Sequence, residues 1–118
     1  MPSRGELEQR VMELLWASSC PQTVADVQSS LQSERELAYT TVMTVLDRLA
    51  KKGLATRERV ERAWRYSPAF SQVDVLVADV TEELAGVPTQ TRVLALRRVL
   101  DALPAEERSL LEVLGARD

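Results

Sequence analysis

Apolar side chains recur along this chain with two different periods, and the change of period divides it. Leu7, Val11, Leu14 and Leu15 fall at i, i+4, i+7 and i+8, the spacing of one helix face, so residues 6–17 read as an amphipathic helix with Trp16 at its buried end. Ser18-Ser19-Cys20-Pro21 breaks the pattern, because proline cannot continue a helix. Gln22-Thr23 reads as a short strand. Thr23 followed by Asp26 has the spacing of a capping box with Asp in place of Glu. Val24, Val27 and Leu31 then carry a second helix to about Ser33. Beyond the Glu34-Arg35-Glu36-Leu37 connection, Val42, Val45, Leu46 and Leu49 form the apolar stripe of a third helix. Gly53 stops it, with Lys51 and Lys52 at the negative end of the helix dipole.

Alternation replaces helical spacing after Gly53. Residues 54–60 and 63–68 are two short extended runs around Glu61-Arg62. Leu54, Thr56, Glu58 and Val60 share one parity, Ala55, Arg57 and Arg59 the other, and Trp64 and Tyr66 lie on one face. The runs predict a hairpin with Arg62 near its tip, ended by Pro68. From Phe70 the helical period returns: Phe70, Val73, Val77, Val80 and Leu84 step by 3, 4, 3 and 4, a heptad-like seam. Gly86-Val87-Pro88 stops this helix, and Val93, Leu96, Val99 or Leu100, and Leu103 mark the next. Pro104 is expected at the first position of a last helix, with Glu106 and Glu107 in its first turn and Leu110, Leu111 and Leu114 along it.

The tail helices carry more apolar surface than three short segments can bury on each other. A two-fold partner is the simplest cover, because a symmetric dimer hides the same patch twice. The expected dimerisation residues are Phe70, Val73, Val77, Val80, Leu84, Val93, Leu96, Leu100, Leu110 and Leu114. The alternative is a tail folded back on its own head.

Three helices followed by an arginine-tipped hairpin make a winged helix-turn-helix. The expected fold is therefore mainly α with a small β-hairpin, a winged-helix DNA-binding domain over residues 1–69 and a helical dimerisation region over 70–118. The front of the third helix carries Tyr39, Thr40, Thr41, Met43, Thr44, Asp47, Arg48 and Lys51. Threonine costs helix propensity, so three within five positions imply that their hydroxyls meet something. That face suits a recognition helix reading base edges in a major groove, while the wing touches the phosphate backbone or the minor groove. In a dimer, two such helices set about one helical turn apart, roughly 34 Å or a multiple of it, would read a near-palindromic operator.

Composition narrows the chemistry. The 118 residues carry a net charge of −3, which by itself speaks against nucleic acid. Its distribution speaks for it: residues 39–66 hold seven Lys/Arg against three acids, a +4 block between two acidic stretches. There is no histidine and a single cysteine, Cys20, so His-based acid–base chemistry, an intrachain disulfide and a Cys/His metal cluster are excluded. The pairs Glu82-Glu83 and Glu106-Glu107 are adjacent, and on a helix neighbours point about 100° apart rather than forming a facing dyad. With no Gly-rich phosphate loop either, neither catalysis nor a cofactor is expected. No apolar run approaches the ~20 residues needed to span a bilayer, and no signal segment opens the chain. A cytoplasmic protein without membrane insertion is the expectation.

The string Tyr39-Thr40-Thr41-Val42-Met43-Thr44-Val45-Leu46-Asp47-Arg48-Leu49-Ala50-Lys51-Lys52-Gly53-Leu54 resembles the third-helix signature of the penicillinase-repressor family, the BlaI/MecI-type repressors. Leu7-Glu8, Val11 to Trp16 and Trp64-Arg65-Tyr66 fit the same pattern. The resemblance implies a homodimeric transcriptional repressor whose winged helix binds an inverted-repeat operator of double-stranded DNA. It places the matches of Thr41, Met43 and Thr44 over base edges, and those of Thr40, Arg48 and Arg62 near the backbone. Met43 is a departure, since relatives often have Arg or Lys there; a thioether can meet a thymine methyl but cannot make a bidentate guanine contact. The chain has no asparagine and its only phenylalanine is Phe70, so the Asn-Phe bond cut in some relatives has no counterpart. The Cys-x-Cys pair of copper-responsive relatives is missing too. A ligand-sensing winged-helix dimer, or a winged-helix interaction module without a DNA role, are the competing readings. Steep loss of DNA affinity with salt separates the last of these from a repressor.

Overall fold

The computed structural model describes residues 5–116. Its elements run α1 (Glu6–Ala17), α2 (Val24–Leu31), α3 (Tyr39–Lys51), β1 (Ala55–Val60), β2 (Ala63–Pro68), α4 (Gln72–Leu84), α5 (Thr89–Ala102) and α6 (Ala105–Ala116). This is the mainly helical, winged helix-turn-helix architecture expected from the periodicities. The chain forms two compact units, the first ending at Val77 and the second beginning at Ala78. None of the described helices is long and apolar enough to cross a membrane.

The core of the first unit is built where the stripes predict it. Val11, Met12 and Leu15 from α1, Val24, Val27 and Leu31 from α2, and Val42, Val45, Leu46 and Leu49 from α3 are all buried, joined by Ala55 and Tyr66 from the hairpin. Leu46 is wholly enclosed, at 0% exposure. Truncating such a leucine typically costs about 2–5 kcal/mol, so the back of α3 is held rigidly while its front stays free.

Local chemistry sets the ends of the helices. Thr23 caps α2: its side chain accepts from Asp26 N at 3.1 Å, and the Asp26 carboxylate accepts from Thr23 N at 3.0 Å. The expected strand at Gln22-Thr23 contracts to one bridge, in which Gln22 and Tyr66 exchange both backbone hydrogen bonds at 2.8 and 2.9 Å. At the end of α3, Leu54 N bonds to Leu49 O and Gly53 N to Ala50 O, the paired bonds of a Schellman stop. Gly53 has φ +79, which suits a residue without a Cβ. This stop turns the chain directly into β1. Arg10 Nε donates to Glu34 at 2.9 Å and ties α1 to the turn before α3. The same guanidinium holds the Glu34 carboxyl below the usual carboxylate range.

The hairpin is antiparallel, with Arg57 opposite Tyr66, Arg59 opposite Trp64 and Val60 opposite Ala63. Only Glu61 and Arg62 connect the strands, and both have positive φ, 50 and 71. A two-residue connection with both φ positive is the type I′ turn that matches strand twist.

Three expectations shift. Trp16 is half-buried rather than enclosed, because its indole N–H reaches out to the Phe70 carbonyl at 3.0 Å. Phe70 precedes α4: Ser71 Oγ accepts from Asp74 N at 3.0 Å and acts as the cap, so the helical part of the seam begins at Val73. Pro104 is the residue before α6 rather than its first. Its carbonyl accepts from Arg108 N at 3.1 Å, the first intrahelical bond, and that is the N-cap role.

In α4 and α5 no residue is buried. Val73 is 69% exposed and Leu110, in α6, 61%.

Candidate nucleic-acid interface

With Val42, Val45, Leu46 and Leu49 turned into the core, the remaining positions of α3 face outward in two rows. Tyr39, Met43 and Asp47, at i, i+4 and i+8, line a groove whose other wall is the wing, through Arg57, Arg62, Ala63, Trp64 and Tyr66. Thr40, Thr44 and Arg48 form the second row and, with Thr41, line a depression shared with Leu7 and Glu8 of α1. The front that the sequence presents as one surface is thus divided between two flanks. Lys51 lies one turn beyond Asp47 and is exposed.

The threonine row has defined hydrogen bonding. Thr44 Oγ1 donates to Thr40 O at 2.8 Å, so its proton is committed within the helix and only its lone pairs face outward. No side chain caps the N-terminus of α3, which leaves the positive end of the helix dipole open to an anion. Met43 is 38% exposed, an apolar tip between the hydroxyls and the wing.

The cations of the +4 block are not equivalent. Lys52 Nζ lies 2.7 Å from Glu8 and Arg48 4.0 Å from the same carboxylate. Arg57 Nη1 is 2.7 Å from Asp47 Oδ1. Among the described residues, Lys51, Arg59, Arg62 and Arg65 have no carboxylate within 4.0 Å. Arg62 sits in the turn at the wing tip, the position expected for it. One face of the hairpin stacks cations on a ring: Arg57 lies 4.3 Å and Arg59 5.5 Å from the Trp64 centroid. Tyr66, on the same face, is 1% exposed, and its hydroxyl donates to Asp47 Oδ1 at 3.0 Å. Burial pushes this hydroxyl above the usual phenol range, so it keeps the donated proton at neutral pH.

Sequence reasoning brought Arg62 and α3, with Asp47 on its front, to this surface, but gave Asp47 no role there and did not single out Arg57, Trp64 or Glu8 as parts of it. Two signals were present. Asp47 is the one acid among the front positions of α3, and a two-residue turn after Val60 puts Arg57 and Arg59 directly across from Tyr66 and Trp64.

The family model of the penicillinase repressor matches residues 4–115. Transcriptional regulator BlaI of two Mycobacterium tuberculosis strains, CDC 1551 / Oshkosh and H37Rv, is 41% identical over 108 residues, which span 91% of this chain and 78% of that protein. Among solved structures, the solution structure of the DNA-binding domain of the repressor BlaI aligns with a TM-score of 0.53 and 27% identity, over 62% of this chain and 88% of that one. The monomeric form of Bacillus licheniformis BlaI in complex with the blaP half-operator aligns with a TM-score of 0.50 at the same identity and coverage. A match across nearly the whole chain, a relative at this identity and a shared winged-helix head agree: the chain belongs to the penicillinase repressor family of transcriptional regulators.

Proposed function

We propose that this chain is a homodimeric repressor that occupies a near-palindromic operator and so blocks transcription from the promoter it covers. The observation that carries the reading is the outer surface of α3, whose back is locked in the core while hydroxyls, a thioether and the cations Arg48 and Lys51 stand on its front beside an arginine-tipped wing. Base edges fall to Thr41, Met43 and Thr44, with Tyr39 and Thr40 beside the backbone at the start of the helix. Arg48, Lys51 and Arg62 neutralise phosphates, which orient the protein without specifying sequence. The Bacillus licheniformis relative bound to its half-operator shows a family member using DNA. Action on a chromosomal operator makes the working compartment the cytoplasm.

The dimer follows from the tail. Val73, Val77, Val80, Val93, Leu96, Leu100, Leu110 and Leu114 are all exposed in the single chain, and an apolar set of this size calls for a partner. A second copy supplies the same set in the same order, and it pairs two reading heads for an inverted repeat.

Selection of duplexes from a random-sequence library by the purified protein tests the reading. An inverted repeat should emerge, bound by two chains, and affinity should fall steeply between about 50 and 200 mM salt as counterions are released. Recovery of unrelated duplexes, or salt-independent binding, would overturn it.

A further inference from the structure

Asp47 is an acid on a surface otherwise built to receive phosphates. An unpaired carboxylate there would repel the backbone that Arg48, Lys51 and Arg62 attract. It is not unpaired. One oxygen, Oδ1, accepts from Arg57 Nη1 at 2.7 Å and from the Tyr66 hydroxyl at 3.0 Å. These donors come from β1 and β2 and face each other across the hairpin, so a single atom of α3 holds both strands of the wing.

The tie continues outward. Arg57 lies against the Trp64 ring, and Arg59 lies over that ring further along the hairpin toward the Glu61-Arg62 turn. Trp64 stays 37% exposed, so this part of the wing lies outside the buried core. The base of the wing is anchored separately, through the buried Tyr66 ring and its two backbone bonds to Gln22. Loss of the Asp47 carboxylate would therefore leave the core standing and free only the outer hairpin.

We infer that Asp47 is a positioning residue for DNA recognition: by clamping Arg57 and Tyr66 it sets the wing against α3 and raises discrimination of operator over random DNA. The inference rests on the DNA-binding reading above. It gives Arg57 a role in geometry rather than as one more phosphate contact, because its guanidinium is already spent on Asp47 and Trp64.

The test compares Asp47→Ala, Asp47→Asn and Arg57→Ala with the wild-type chain on the library-selected operator and on a random duplex. Asp47→Ala removes the clamp and adds one net positive charge. Random-duplex affinity should rise a few-fold, while the operator-to-random ratio falls by about tenfold, the worth of a charge-assisted hydrogen bond. Asparagine keeps an oxygen for both donors, so Asp47→Asn should hold the ratio within about two- to threefold of wild type. The Asp47→Ala, Arg57→Ala double variant should lose no more of the ratio than either single one, because both break the same tie. Equal gains on both duplexes for Asp47→Ala and Asp47→Asn would reduce Asp47 to a charge and overturn the role. Equal losses on both duplexes, matched by a lowered Tm, would reduce it to a fold contact and overturn it as well. A wild-type chain that binds no duplex would instead sink the DNA-binding reading, and this role with it.

Discussion

Thr44 gives its hydroxyl proton to the Thr40 carbonyl one turn back, at 2.8 Å, and this fixes what Thr44 can do at a base edge. With the proton committed, the oxygen can only accept, which suits the amino groups of adenine or cytosine. Thr44→Ala should cost on the order of 1–3 kcal/mol of operator binding and relax preference at one base pair. Random-duplex affinity and Tm should stay nearly unchanged. Fluorescence anisotropy on operator, single-base variants and random duplex reads this, and equal loss on all three would remove Thr44 from base readout.

The wing tip sets stability against binding. Glu61 and Arg62 both occupy left-handed backbone, φ 50 and 71, where side chains other than Gly, Asn and Asp are strained. Replacing them with Asn-Gly, the favoured type I′ pair, should raise stability by about 1 kcal/mol. The double variant loses the Glu61 carboxylate along with the Arg62 charge, so its reference is Glu61→Asn alone; against that reference it should bind every duplex more weakly, with the salt slope reduced by about 1. A thermal melt and a salt titration on one preparation check both, and an unchanged slope would take Arg62 off the DNA.

Acid should weaken α2 through its cap. Hydrogen bonds from the Thr23 backbone N–H, first, and then from the Thr23 side chain hold the Asp26 carboxyl below its ordinary range. A carboxyl depressed in the folded state contributes its full stability above the unfolded pKa of about 3.9 and loses it as pH falls through the lower folded value. Asp26→Asn should therefore cost about 1 kcal/mol near neutral pH. Its deficit relative to wild type should shrink below about pH 4. Urea melts of both proteins across that window measure the gap, and a deficit independent of pH would show that the charge is not what the cap uses.

A charge in the tail seam should separate dimer from head. Leu96 is exposed in the single chain, so Leu96→Glu costs the monomer little but would bury a carboxylate in the dimer. Sedimentation should show monomers. Affinity for the full inverted repeat should drop on the order of 10²-fold through lost avidity, while half-site affinity holds. A dimer that survives the substitution would move the interface away from this face of α5.

The stripes at helical spacing, the Thr23 to Asp26 cap, the Gly53 stop and the change to alternation were legible along the chain, because each depends on neighbours within four or five residues. They determine the elements and their order, the buried back of α3 and the basic block with Arg62 at the hairpin tip. Tertiary structure decided what crosses between elements. Asp47 looks like an ordinary solvated acid until the hairpin brings Arg57 and Tyr66 onto one of its oxygens. Trp16 looks like a core residue until Phe70 offers it a carbonyl, and Lys52 looks free until α1 presents Glu8. Spacing specifies which face of a helix or strand a residue occupies. Which charges cancel, and which stay available to a phosphate, is settled by contacts between residues ten to fifty positions apart, and no local period records those.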